Sequence, residues 1–356
     1  EEGRILDTYD FVDKDSKVFD ACFAAGFCRH GLNCFSIIGG KIDSLNYSGS
    51  APDAQFMLFR TENDASETSQ EEDNWVAAAE RADSLGAQVF STSLGYSVYD
   101  DTATSYKTWQ LDGNTTIITR AADIAASKGI IVVNSAGNEG GKPWRIVLAP
   151  ADGDSVLAIG AVNRNKIRAA FSSQGYTADG RVKPDVMALG EQTYLVDVAG
   201  RLVKGNGTSF SGPVIAGMMA CLRQAYPKTP AFELQEWLKQ SADRYNSPDS
   251  LYGYGIPDAL KLLNAHTSPI NGFQLAPNPN EGTCMAIWEE EEAFEGTIRI
   301  FDLTGRAIYA ENYSFTKGWN RVPLCLEHLT NGLYPVVIQE KDKGKVKYQS
   351  KLLIRK

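Results

Sequence analysis

The rhythm of apolar and polar positions changes once along this chain. Up to residue 265, runs rich in Val, Ile and Phe alternate with amphipathic stretches. The runs Gln55–Phe59, Gln88–Ser91, Gly129–Asn134 and Val156–Val162 lack inside–outside alternation, as strands buried on both faces do. Trp75–Leu85 and Ile117–Lys128 carry helical spacing and stop at Gly86 and Gly129, a helix-ending signal. Such alternation predicts an α/β domain, a parallel sheet with helices on both faces. Thr61–Asp73 is acidic and polar and reads as a solvated loop leading into a helix N-terminus, where the dipole favours acidic residues. From Leu275 onward, short alternating segments separated by turns replace the helices. Thr297–Phe301 and Ala307–Tyr309 flank a turn in which Thr304–Gly305 supplies a positive φ. A small all-β sandwich is expected there.

Composition fits this two-part picture. The 356 residues exceed one ordinary core, and 43% apolar with 22% charged residues is a globular balance. No apolar run is long enough to span a bilayer. A net charge of −9 disfavours nucleic acid, whose phosphates call for clustered Lys and Arg. Six dispersed cysteines without a CxxC, and three isolated histidines, offer no zinc spacing. Free, mostly buried thiols are expected, with a Cys22–Cys28 bridge as a weaker alternative. The opening EEGRILDTYD is not a signal peptide, so the expectation is a removed leader or a fragment.

The chemistry concentrates in KGNGTSFSGPVIAGMMACL, residues 204–222. Ser209 follows two glycines and opens an apolar helix, with Pro213 expected in its opening turn. A serine there faces unpaired N–H groups and the positive dipole end, which would stabilise an oxyanion; it could equally be a plain cap.

Gly-Thr-Ser-Phe-Ser-Gly-Pro at 207–213 resembles the nucleophile motif of the subtilisin-like serine proteases, the subtilases, which makes Ser209 rather than Ser211 the nucleophile. NSAGNEG at 134–140 is similar to the family's Ala-Gly-Asn segment, whose Asn amide binds the oxyanion, here Asn138. Arg29–His30–Gly31 resembles the family's His-Gly-Thr, with Leu32 in place of Thr, and implies that His30 is the general base. Ser93–Leu94–Gly95 corresponds to the segment that pairs with an extended peptide and walls its specificity pocket. Phe171–Gly175, Lys183–Val186 and Gly253–Gly255 match further landmarks, so the resemblance runs over residues 20–265. It implies a subtilisin-like parallel sheet, no cofactor and no catalytic metal.

The family also needs an Asp at the end of a strand well before the His. No such strand is read before His30. Asp7 is the candidate within the sequence, but two apolar residues precede it and no glycine follows. The expectation is that the Asp strand lies upstream, on polypeptide outside this sequence.

Leu275–Pro279, Ile300–Arg306, Asn331–Tyr334 and Lys351–Lys356 resemble, in that order, the C-terminal sorting domain of the type IX (Por) secretion system of Bacteroidota. Pro335 departs from the family's pattern and suggests an edge strand. A generic accessory sandwich is the alternative. The organisation expected is a peptidase domain at 1–265, a linker at 266–274 and a sorting domain at 275–356. The resemblance implies a secreted or surface endopeptidase acting on proteins or peptides. Its expected partners are the secretion machinery and its own upstream fragment. A truncated or pseudo-protease that binds peptides is the alternative, because the Asp is missing. An esterase elbow, Gly-x-Ser-x-Gly, does not fit Ser209.

Overall fold

The computed structural model describes residues 3–19, 29–266, 273–302, 304–341 and 344–356. It forms two compact units, Glu1–Leu262 and Leu263–Lys356. In the first unit the elements are, in order, β1 (Ile5–Asp10), α1 (His30–Gly39), β2 (Lys41–Ile42), β3 (Tyr47–Ser48), β4 (Phe56–Arg60), α2 (Gln70–Ser84), β5 (Val89–Thr92), α3 (Ile117–Ser127), β6 (Ile131–Ser135), β7 (Val156–Val162), β8 (Val186–Leu189), β9 (Thr193–Val196), β10 (Leu202–Gly205), α4 (Thr208–Ala225) and α5 (Ala231–Ser241). Helix α6 (Ala259–His266) follows.

Strands β5-β6-β7-β8 make a parallel sheet, and β1 pairs in parallel with β4 as a separate two-stranded sheet. Strands β6 and β7 are buried along their whole length, which is why they read as unbroken apolar runs. By contrast β4 is half-buried at every residue, and β5 is buried only at Thr92. Among the described residues no strand pairs with the free side of β4 or of β5. Helices bridge the two sheets. From α2, Arg81 clasps Asp7 of β1 at 2.6 and 3.0 Å, and the Trp75 ring lies 6.2 Å from Phe90 of β5. Helix α4 packs on β5 to β8 and on α1, whose Phe35 ring lies 4.8 Å from Phe56 of β4.

The second unit holds β11 (Gln274–Ala276), β12 (Thr283–Glu290), β13 (Phe294–Phe301), β14 (Ala307–Phe315), β15 (Gly318–Cys325), β16 (Gly332–Glu340) and β17 (Val346–Ile354). They form antiparallel sheets β11-β12-β15 and β14-β13-β16-β17. One core joins the sheets: Trp288 and Ala286 from the first meet Ile298, Ile300, Val336, Ile338 and Leu352 from the second, all fully buried. Gly305, at φ +84°, turns β13 into β14 as the sequence predicts.

Several expectations need correction. One strand that the sequence does not announce, β1, precedes His30, where Ile5–Asp10 gains a parallel partner in β4; its Asp7 and Asp10 are both held by arginines. The acidic stretch is not all solvated loop. Helix α2 begins at Gln70, and Glu71 and Glu72 are buried at 2% and 0% exposure. The Glu72 carboxylate accepts from the Tyr99 and Tyr106 hydroxyls and from the Ile118 N–H, which is at the start of α3. Strand β16 is not an edge strand. Its register with β13 begins at Val336, however, so Pro335 faces only β17 and its missing N–H breaks no bond to β13. Pro213 lies inside α4, beyond its opening turn. Among the described free thiols, Cys284 is buried and Cys34 half-buried, while Cys221 and Cys325 are exposed. Cys22 and Cys28 lie outside the described residues. Among the described residues no helix is long and apolar enough to cross a membrane, and no cluster of acidic, His or Cys side chains is arranged to hold a metal.

Candidate active site

Two helix starts and one strand end converge. His30 is the first residue of α1 and Ser209 the second of α4. These helices are locked together through a small core of Ile37, Leu195 and Phe210, so both N-termini are fixed side by side. The Cys34 thiol, one turn into α1, touches both. Its Sγ lies 3.8 Å from His30 Nε2 and donates to the Ser209 carbonyl at 3.3 Å. No hydrogen bond joins His30 to Ser209 among the described residues, and no described carboxylate bonds to the His30 ring. The His30 side chain is accessible to solvent. Even so, desolvation draws its pKa below the ordinary histidine value, against the opposing pull of Asp64. Burial pushes the Cys34 thiol up to about 11, so it is a neutral thiol rather than a thiolate.

Strand β6 ends at Ser135 and leads directly to Asn138, with Gly137 at φ +107° making the turn. The Asn138 Oδ1 accepts from the Thr208 N–H at 2.9 Å and from the Thr208 hydroxyl at 3.1 Å. That bond pair turns the amide nitrogen toward Gly207. A Cβ at Gly207 would stand 3.8 Å from Asn138 Nδ2, 3.7 Å from the Ser209 N and 3.8 Å from Ser209 Cβ. Two N–H donors thus flank the same space beside the Ser209 side chain.

Strand β5 runs on into Ser93–Gly95. The Ser93 hydroxyl donates to the Ser209 carbonyl at 3.0 Å, and the Leu94 carbonyl accepts from the buried Asn134 amide at 3.1 Å. The structure therefore gathers His30, Ser93, Asn138 and Ser209 into one neighbourhood. Asp7 bonds to none of these residues; the Arg81 guanidinium holds its carboxylate and lowers its pKa. Asp10, at the end of β1, is likewise engaged by Arg60 at 2.8 Å. Sequence reasoning missed Cys34 and Thr208. The first was signalled by its place four residues after His30 on a helix, and the second by its place beside Ser209.

Comparison with known proteins gives the family of each part of the chain. The model of the subtilase family matches residues 6–255, and that of the secretion system C-terminal sorting domain matches residues 274–355. The thermophilic serine proteinase of Bacillus sp. (strain AK1) is 27% identical over 257 residues, covering 71% of this chain and 55% of that protein. Subtilisin DY of Bacillus licheniformis is 38% identical over 141 residues, 39% of this chain and 48% of its own length. This chain thus spans about half the length of these curated relatives. Among solved structures, that of MycP1 with the N-terminal propeptide removed superposes with a TM-score of 0.58 at 23% identity, covering 74% of this chain and 86% of that one. The last unit carries the address of an exported or surface protein, and the chain as a whole belongs to the subtilase family, with a secretion sorting domain appended.

Proposed function

We propose that this protein is a serine endopeptidase in which Ser209 Oγ attacks the peptide carbonyl carbon while His30 takes its proton. The resulting oxyanion is held by Asn138 Nδ2–H and the Ser209 backbone N–H. His30 then passes the proton to the departing amine, and water, deprotonated by His30 in turn, hydrolyses the acyl-Ser209 ester. The substrate lies extended along Ser93–Gly95 as an added strand, which recognises backbone rather than one sequence. The observation that carries this reading is the pair of donors beside Ser209, with Asn138 pinned by Thr208. A plain helix cap needs no such pair.

The carboxylate that should orient His30 is supplied from the gap between β4 and β5. Among the described residues each of these strands is parallel to its one partner and has a side without a strand, to which a further parallel strand could add. Until it is seated, His30 Nε2 rests against Cys34, which favours the second reading, a peptide-binding module with little turnover.

The test is labelling by a fluorophosphonate probe, with the adduct located by mass spectrometry. Modification of Ser209, abolished in Ser209→Ala, is expected. An intact protein whose Ser209 stays unlabelled, with and without a polypeptide carrying the additional strand, overturns the peptidase reading.

A further inference from the structure

The Leu148 side chain stands against both Ser93–Gly95 and Ala136–Asn138, and the Ser173 hydroxyl joins it at Gly137, 2.8 Å from where a Cβ would stand. A Cβ on Gly95 would stand 2.7 Å from Leu148 Cβ and 2.8 Å from its Cδ1, and a Cβ on Gly137 would stand 2.9 Å from Leu148 Cγ. Leu148 therefore lies against the bare backbone of both walls, and is itself only 9% exposed. Its position is fixed by main-chain bonds: the Leu148 N–H donates to the Ala136 carbonyl at 3.1 Å, and Ala149 exchanges bonds with Tyr96 at 2.9 and 3.2 Å. The three segments are thus laced together with the leucine at their junction.

We propose that Leu148 is a specificity-determining residue that restricts the substrate side chain on the acyl side of the cleaved bond to Gly, Ala or Ser. The inference rests on the peptidase reading above. Side chains of a strand laid along Ser93–Gly95 alternate between its two faces. The residue whose carbonyl reaches the Asn138 and Ser209 donors turns its side chain into the gap between the two glycine walls. Two facing glycines leave room for a large side chain, but Leu148 already occupies that room. A rigid, hydrogen-bonded backbone gives it no easy path aside, and overfilling a packed site is unfavourable.

The test uses peptides of the form Ala-Ala-Pro-X with X as Ala, Leu or Phe, on the full chain and on Leu148→Gly, with Leu148→Ala beside it should the glycine variant fold poorly. Turnover is read as kcat/KM for the amides. Binding of the free-acid product peptides is read by calorimetry, which needs no catalysis. The native chain should favour Ala over Phe by about 100-fold, and the truncations should reduce that preference at least about tenfold. Equal handling of Ala and Phe by the native chain, an unchanged ratio in both variants, or no peptide bound by any of them overturns the proposal. Failure of fluorophosphonate labelling with size selection intact would remove the catalytic reading alone and leave the role of Leu148 standing.

Discussion

Pro213 stands one helical turn after Ser209 in α4 and leaves the Ser209 carbonyl without its ladder partner. That carbonyl is taken instead by the Ser93 hydroxyl and the Cys34 thiol. A missing N–H thus becomes the means by which the nucleophile's backbone is tied to the substrate-binding segment and to the helix of the base. Replacing Ser93 by Ala should cost about 1 kcal/mol of stability. The loss should shrink in a Pro213→Ala background, where the new N–H reclaims the carbonyl. A double-mutant cycle in urea reads this coupling directly; additive losses would show that the proline plays no part.

Asn138→Ala should slow fluorophosphonate labelling by about 10²- to 10³-fold, the usual cost of one oxyanion donor. Thr208→Val should slow it less, since the Thr208 N–H still holds Asn138 Oδ1. Equal effects would mean that the threonine hydroxyl, rather than its main chain, sets the amide's direction.

Labelling requires His30 in its neutral form, and desolvation lowers its pKa. The rate should therefore rise with pH to a plateau, with a midpoint below the ordinary histidine value. Asp64 raises that pKa, so Asp64→Asn should move the midpoint lower still. A midpoint that moves upward would break the electrostatic account.

Asp7→Asn should leave the labelling rate unchanged within about twofold. Loss of a carboxylate that truly orients the histidine would cost about 10⁴-fold. The variant should be less stable than the native chain at neutral pH, because Arg81 holds the Asp7 carboxylate below its ordinary range. A group with a depressed folded pKa contributes above its unfolded pKa and loses that contribution as pH falls through the folded value. The stability difference should therefore vanish in acid, as melting curves across pH will record.

The central strands were legible because burial on both faces writes itself as an unbroken apolar run. Val156–Val162 is strand β7 to the residue. Ser209, Asn138 and His30 were legible as local motifs, and the fold brings them together. Strand β1 was not legible. Its residues are mostly polar or charged, and its conformation comes from pairing with β4 some fifty positions away. Glu71 and Glu72 misled for a related reason. The partners of buried Glu72 lie in Tyr99, Tyr106 and Ile118, which no local window contains, while Glu71 accepts from the Asn63 and Thr68 N–H groups of the folded acidic loop itself. Leu148 carries no motif at all, and its significance exists only once distant segments are packed around it, whereas Cys34 had only its helical spacing from His30 to mark it.

The break in hydrogen bonding between β4 and β5 also bears on how the fold comes apart. Among the described residues, strands β1 and β4 share no ladder with β5–β8 and are tied to them through helix side chains and through the loops that follow β4 and β5. Their amides should exchange with solvent through a smaller opening than those of β6 and β7, which are lost only when the whole unit opens. The first unit thus carries two cooperative blocks, and a strand seated in the gap would merge them into one. Slowed exchange in β4 would then report that merger before any peptide is cut.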